Sequence, residues 1–469
     1  MFMLKALEIT GCQGVWVGWG FLSEDSDFAS MIEKSGMVLL GPSSKAMALL
    51  GDKIKAKNLA EQSEVSVCEW SRGAVKSLEE AREIADKIGY PIIVKAANAG
   101  GGRGIRFVLT KDELESQYIS ARDETVRITG GEIIYIEHFV KTGRHLEVQI
   151  AGDKYENVYA FGVRDCSVQR RNQKIIEETP PTGIPEKTLI EMQESAKRLI
   201  KAAEYEGVGT VEFIYDIETG KYYFMEVNTR LQVEHTITEQ LYNIDLVKIQ
   251  ILIASGIELK LQGFNPSLTV LEARLNAEDP ENNFAPAPGK VVLFGISSGN
   301  GVRVDSGIEK GTTIPQEFDS MIAKVIASGS NRKEAFARLQ RALEEFQILI
   351  EGGTTNRAFL IELLNNSEIL KGGVSTRFVE NLFAASSFSI KRNDWQIALI
   401  ACAIEQYAAK YIEEITNFKH QFNRSGYPQN LDMALGHQVA IAHNSVEYEF
   451  FVKYMGEDIF HIKINGEYI

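Results

Sequence analysis

Two stretches near the middle of the chain, residues 209–213 (GTVEF) and 221–226 (KYYFME), read as the partnered strands of a hairpin. Each carries an acid, Glu212 on the first and Glu226 on the second. Asn228, Arg230, Glu234 and His235 follow within one short run, and the apolar residues between them mean that these groups need not all be solvated. Facing strands that each offer a carboxylate make a hard-oxygen site suited to Mg²⁺, with Mn²⁺ as a substitute. An arginine and a further acid just beyond suit a small oxyanion and a base. A solvated surface hairpin accounts well for a lone Glu and poorly for the whole set.

The rest of the sequence sets limits around this hairpin. At 469 residues the chain has room for about three domains. A net charge of −14 and a pI near 5.2 argue against nucleic acid or an anionic membrane as a partner, so any basic site for a phosphate is local. Cys12, Cys68, Cys166 and Cys402 lie far apart with no CxxC pair, which argues against zinc or a disulfide framework and fits a reducing, cytoplasmic setting. Cys12 and Cys166 read as small buried residues. No apolar run approaches the ~20 residues of a membrane helix, and no signal-peptide pattern opens the chain.

Along the chain, residues 1–50 read as alternating helix (3–9, 25–35) and strand (14–17, 37–40), too little for a doubly wound sheet. Helices are expected over 51–63, 78–88 and 186–206, and strands over 91–95, 105–109, 133–139, 144–150 and 159–162, giving mixed α/β and α+β material around an antiparallel sheet. Residues 267–325 read as strand-rich, and helices are expected over 331–349, 355–364 and 395–415. Residues 436–469 read as β hairpins; Asn465-Gly466 signals a turn, with too few residues after it for a paired strand.

A glycine loop, residues 98–104, lies between two expected strands rather than before a helix, and it lacks Gly-Lys-Ser/Thr, which excludes a P-loop and a dinucleotide fingerprint. Such a hairpin can close over a triphosphate with its amides, while Lys53 and Lys95 supply positive charge. A flexible hairpin tip is the bland reading of the loop alone.

Taken together these parts resemble the ATP-grasp fold, and more narrowly the biotin carboxylase family. The resemblance rests on residues 20–24 (GFLSE), 51–53 (GDK), Lys95 with 100–104 (GGGRG), 144–149 (RHLEVQ), 164–171 (RDCSVQRR), 225–235 (MEVNTRLQVEH), 276–280 (NAEDP) and 319–324 (DSMIAK), and covers about residues 14–380 in unbroken order. It implies a partial doubly wound N-terminal domain (1–50), an ATP-grasp domain (51–265) and a C-terminal biotin carboxylase domain (266–384). Residues 385–469 resemble the linker domain of single-chain acyl-CoA carboxylases, a helix with a partial β-barrel.

By the resemblance, Lys53, Lys95 and the amides of Gly100, Gly101, Gly102 and Gly104 hold ATP phosphates. Glu137 and the backbone at His138 and Val140 hold adenine, with His145 and Gln169 also on the nucleotide. Glu212, Glu226 and Asn228 form the metal site. Lys174, Arg230, Gln232 and Val233 hold bicarbonate, Glu234 deprotonates it, and Arg303 steadies the enolate oxygen of biotin. The implied reaction is carboxylation of biotin N1′ through carboxyphosphate. No Ala-Met-Lys-Met string occurs, so the biotin is expected on another domain or protein, alongside a carboxyltransferase component in an oligomer.

The sequence departs from the family pattern at Trp16-Val-Gly-Trp19, where His-Pro-Gly-Tyr is usual, at Asn172 in place of histidine, and at Ala99 in place of the first loop glycine. It also reads as beginning within the first domain and as cut at both ends. The competing readings are a catalytically silent assembly module and another ATP-grasp carboxylate–amine ligase.

Overall fold

The computed structural model describes residues 2–97, 104–129, 131, 133–264, 266–385, 395–425, 436–443, 446–456, 459–465 and 467–468. The chain divides into two compact units, residues 1–389 and 390–469. Ala99, Gly100, Gly101, Gly102 and Gly466 lie outside the described residues.

The first unit opens with α1 (Phe2–Thr10), β1 (Gly14–Val15), α2 (Ser26–Lys34) and β2 (Val38–Leu39), the two strands pairing in parallel. Asp25 caps α2, its carboxylate accepting from the N–H groups of Asp27 and Phe28, and the helix buries Phe28, Ala29 and Ile32. Cys12 is exposed rather than buried, while Cys166 is buried as expected. Two helices follow, α3 (Ser44–Gly51) and α4 (Lys53–Gln62). Asp52 accepts from the N–H groups of Ile54 and Lys55, which starts α4 one residue before Ile54 and leaves Lys53 in its first turn.

A small sheet with strand order β4-β3-β5 comes next, built from β3 (Ile92–Ala96), β4 (Ile105–Val108) and β5 (Ile134–His138). Helices α5 (Leu78–Ile88) and α6 (Leu114–Thr129) cover it through Ala81, Ala85, Leu114 and Ala121, packed on Ile92, Val94 and Ile136. Helix α6 was not expected from the sequence. Its apolar residues form only a weak stripe, and packing on the sheet supplies what periodicity does not.

An eight-stranded, wholly antiparallel sheet dominates the unit, in the order β10-β9-β6-β7-β8-β11-β17-β15. Its strands are β6 (Gly143–Gly152), β7 (Val158–Arg170), β8 (Gln173–Thr179), β9 (Gly207–Asp216), β10 (Tyr222–Asn228), β11 (Thr269–Asn276), β15 (Val302–Ser306) and β17 (Met321–Gly329). The short strands β12 (Glu278–Asp279), β13 (Ala285–Pro286), β14 (Gly289–Gly295) and β16 (Thr313–Ile314) lie between the last of these. Helix α7 (Glu186–Ala202) lays Met192, Ala196, Leu199 and Ile200 on one face, against Leu146, Val148, Val211 and Phe213. Helices α8 (His235–Tyr242) and α9 (Leu246–Ala254) follow the acidic hairpin, and neither was expected.

The helix expected over 331–349 stops early: α10 (Arg332–Glu345) gives way to β18 (Gln347–Glu351), which pairs with β14. Ile348 and Ile350 are β-branched and suit a strand better than a helix end. The unit closes with α11 (Arg357–Leu364), α12 (Ser367–Lys371) and α13 (Phe378–Ala384).

In the second unit α14 (Trp395–Ser425) is longer than expected, and Leu399, Ala403 and Tyr407 on it pack on Val439, Phe450, Val452 and Ile462. The sheet is an open meander of β19 (His437–His443), β20 (Val446–Gly456), β21 (Ile459–Ile464) and β22 (Glu467–Tyr468). The last strand does pair, Lys463 with Tyr468 and Ile464 with Glu467, because a tight hairpin needs only two residues to close its first ladder step. Among the described residues no helix is long and apolar enough to cross a membrane.

Candidate active site

The pleat of the large sheet puts alternate residues on one face, so His145, Glu147 and Gln149 of β6 share a side. Register then aligns acids across strands: Glu212 stands opposite Glu226 on β10 and opposite Glu147 on β6, which in turn faces Arg164 on β7. Like charges directly opposite one another repel, so this row is stable only with cations between its members.

Lys174 on β8 is the central cation. Its ammonium touches Glu147 and lies 3.3 Å from Glu212 Oε1 and 2.6 Å from Glu234 Oε1. Arg164, fully buried, donates to Glu147 at 3.1 Å, to Gln149 at 2.6 Å and to Gln232 at 3.1 Å. Glu212 also accepts from Asn228 Nδ2 at 2.7 Å and Gln232 Nε2 at 3.0 Å, and His145 Nε2 lies 3.0 Å from its other oxygen. Arg274 on β11 reaches Glu234 Oε2 at 2.9 Å and Glu177 Oε1 at 2.6 Å.

Charge balance sets the protonation states. Burial opposes ionisation of Glu212 and Glu234, yet Lys174 beside both holds each well below the usual carboxylate range, helped by His145 at Glu212 and Arg274 at Glu234. Burial likewise penalises a charged Lys174, and the acids Glu147, Glu234 and Glu212 outweigh it and hold the ammonium. His145 is shifted upward, because Glu212 outweighs the cost of burial.

A second cluster joins the small sheet to α4. Glu137, buried, is paired with Lys95 and lies 2.7 Å from Lys57, which is itself 1% exposed. Burial would raise its pKa, but the two lysines bring it down to about 2. Lys53, one turn before Lys57 on α4, pairs with Glu226 and so ties that helix to the acidic hairpin.

Of the residues singled out from sequence, His145, Lys174, Glu212, Asn228, Gln232 and Glu234 form one connected polar network, while Lys53 and Glu226 form a separate ion pair whose acid stands opposite Glu212 in the strand register. Arg230 joins it through Asn228 Oδ1 at 3.3 Å, with its Nε 2.9 Å from Glu24. Val233 offers its carbonyl to Lys324 at 2.6 Å. Gln169 is buried opposite Lys174 in the β7–β8 register, and Lys95 with Glu137 holds the second cluster. His138 donates its backbone N–H to Glu69 at 2.8 Å, Val140 is buried, and Gly104 enters β4 at φ +69°. Gly104 must stay glycine: a Cβ there would stand 2.7 Å from that of Ala96.

Arg303 is the exception. Its guanidinium is taken up by Asp305 and Glu239, each at 2.9 Å, and Arg274 is the arginine that contacts Glu234. Sequence reasoning missed Glu147, Arg164, Arg274, Glu177 and Lys57. The polar alternation of 145, 147 and 149 on an otherwise apolar strand was the available signal for Glu147.

The donors fit a hard divalent cation. Glu212 and Glu226 bring carboxylates from facing strands, Asn228 supports Glu212, and the ligand atoms of His145, Glu147 and Glu212 all lie within 4.8 Å of one another.

Three family models match in sequence: biotin carboxylase N-terminal domain over residues 2–47, carbamoyl-phosphate synthase L chain ATP binding domain over 52–262, and biotin carboxylase C-terminal domain over 272–381. Biotin carboxylase 1 of Bacillus subtilis (strain 168) is 41% identical over 380 residues, 81% of this chain and 84% of that protein. The chain belongs to the biotin carboxylase family. Biotin carboxylases are ATP-dependent ligases, and this enzyme shares their domain set and fold. The methylcrotonoyl-CoA carboxylase alpha subunit of Arabidopsis thaliana is 37% identical over 429 residues, 91% of this chain and 58% of that protein. A solved biotin carboxylase–β,γ-ATP complex from Campylobacter jejuni is 38% identical, with a TM-score of 0.78 over 81% of this chain and 84% of that one. The biotin carboxylase domain dimer of Hydrogenobacter thermophilus 2-oxoglutarate carboxylase, solved with MgADP, ADP and bicarbonate, is 35% identical with a TM-score of 0.79, covering 83% and 85%.

Proposed function

We propose that this biotin carboxylase converts bicarbonate and ATP to carboxyphosphate and delivers the resulting CO₂ to N1′ of a biotin carried on another domain or protein, the first half-reaction of a biotin-dependent acyl-CoA carboxylase. The observation that carries the reading is Glu234. A buried carboxylate stands at the end of the acidic hairpin, kept ionised by Lys174 at 2.6 Å and Arg274 at 2.9 Å. An anion seated against Lys174, Arg230, Gln232 and the backbone of Val233 shares those cations. Glu234 then loses part of its stabilisation and its affinity for the bicarbonate proton rises.

Glu212 and Glu226, with Asn228 beside them, would hold Mg²⁺, which screens the triphosphate charge. Lys53, Lys95 and the amides of Gly100, Gly101, Gly102 and Gly104 bind phosphate oxygens. Glu137, the backbone of His138 and Val140, His145 and Gln169 bind the nucleoside. Stabilisation of the biotin enolate oxygen goes to Arg274 rather than Arg303, because Arg274 contacts the base and lines a cleft with Lys174, whereas Arg303 pairs with Asp305 and Glu239 and does not contact Glu234. The domain division at residues 50, 265 and 384, a biotinylated carrier, a carboxyltransferase component, an oligomeric assembly and a cytoplasmic setting complete the reading.

The test is ADP release with Mg·ATP and free biotin, with and without bicarbonate. Release that requires both bicarbonate and biotin supports the assignment. ATP binding to folded protein without such release overturns it in favour of an assembly role.

A further inference from the structure

Arg274 is held from behind as well as in front. The N–H groups on one edge of its guanidinium are divided between two acids, Nε to Glu177 at 2.6 Å and Nη2 to Glu234 at 2.9 Å. The same arginine lines a cleft with Gln173, Lys174, Asn276 and Phe284. Glu177 sits on β8 with no exposed surface, and the β8–β11 register sets it directly opposite Glu272, also fully buried. Glu272 accepts from Thr236, the hydroxyl that also accepts from Lys324 at 3.1 Å. Two buried carboxylates facing one another are unfavourable for a sheet, and an apolar pair would pack there at lower cost. Burial and Glu272 push Glu177 up to about 8 against the pull of Arg274, as expected where neighbouring acids compete for ionisation.

We propose that Glu177 is a positioning residue for biotin carboxylation: by holding Arg274 Nε it fixes the guanidinium so that the arginine meets both Glu234 and the substrate in the cleft. Arg274 is a long side chain with many rotamers, and without a rear anchor it swings toward solvent or collapses fully onto Glu234. Reach rather than charge is the property that matters, since Arg274 needs only an oxygen at the right distance. The inference rests on the carboxylase reading above.

Two variants separate reach from charge. Glu177→Gln keeps the length and an acceptor oxygen for Arg274 Nε, and its amide group can donate to Glu272. Glu177→Asp keeps the ionisable carboxyl group but withdraws the acceptor by about one methylene. Bicarbonate- and biotin-dependent ADP release is measured for both, with kcat and the KM for ATP taken separately. For Glu177→Asp, kcat is expected to fall about tenfold with the ATP KM unchanged, because misplacement on the ångström scale costs roughly that much or more. Glu177→Gln is expected to restore kcat to within about threefold of wild type, since its acceptor stays in place. Wild-type kcat in both variants overturns the proposal. So does the reverse order, with Gln impaired and Asp active, which would make charge balance the role. Equal losses in both, with the ATP KM rising in parallel, would reduce Glu177 to a packing residue and also overturn it. Absence of bicarbonate-dependent release in the wild-type enzyme is a different result and would instead strike the carboxylase reading.

Discussion

The ammonium of Lys174 stands 2.6 Å from Glu234 and 3.3 Å from Glu212, so one cation from β8 couples the acid beyond the end of β10 to the acid on β9. The proposed proton acceptor and the proposed metal-binding acid are therefore not independent. A ligand that draws Lys174 toward itself changes the basicity of Glu234 and the charge on Glu212 together.

Glu234→Gln preserves shape and removes the proposed base. Bicarbonate-dependent ADP release is expected to fall by about 10²–10⁴-fold, while ATP binding followed by calorimetry stays intact. Wild-type turnover in this variant would sink the base assignment.

Lys174→Met strips Glu147, Glu212 and Glu234 of the cation they share in a site where its side chain is only 11% exposed. Leaving buried charge uncompensated is expected to cost about 3–5 kcal/mol, read as a lower urea midpoint, with loss of turnover. A variant as stable as wild type would show that the acids are neutralised some other way.

Asn228→Ala removes the donor 2.7 Å from Glu212 Oε1 and leaves both carboxylates in place. The Mg²⁺ concentration for half-maximal ADP release is expected to rise about 10- to 100-fold, the usual cost of losing a group that orients a ligand. Glu226→Gln should raise it further. An unchanged Mg²⁺ titration in both variants would move the metal site elsewhere.

His235 gives the stability a defined pH window. Burial, with Lys324 nearby, depresses it to about 4 from the ordinary 6.5, and its ring nitrogen Nδ1 lies 2.7 Å from the carbonyl of Gln232. Above the unfolded value the ring is neutral in both states and nothing is lost. As pH falls from about 6.5 toward 4 the unfolded chain takes up a proton that the folded one refuses, so stability falls. The loss between pH 7 and pH 5 is expected to be about 2 kcal/mol in denaturant unfolding, and His235→Gln should abolish it. An equal loss in the variant would assign the slope to other groups.

Much of this architecture was legible in the chain. Helices α2 and α5 lie within one residue of the spans expected from sequence, because the groups that bound them, Asp25, Ser77 and Gly89, act on neighbours a few residues away. The acidic hairpin was visible because two alternating strands flank a turn, and its pairing of Glu212 with Glu226 follows from that local register. Helices α6, α8 and α9 were not seen, since what holds them is an apolar face supplied by strands distant in sequence.

The sequence by itself determined the family, the hairpin and most of the polar residues of the site, because these are carried by side-chain identity and local spacing. Only the tertiary structure decided which cation serves which acid. Arg274 and Arg303 are both strand arginines, flanked by apolar residues, and spacing cannot rank them. The order β8-β11-β17-β15 sets Arg274 on Glu234 and leaves Arg303 to Asp305 and Glu239. Electrostatic pairing acts over a few ångströms, and which residues come that close is fixed by strand order and register rather than by position along the chain.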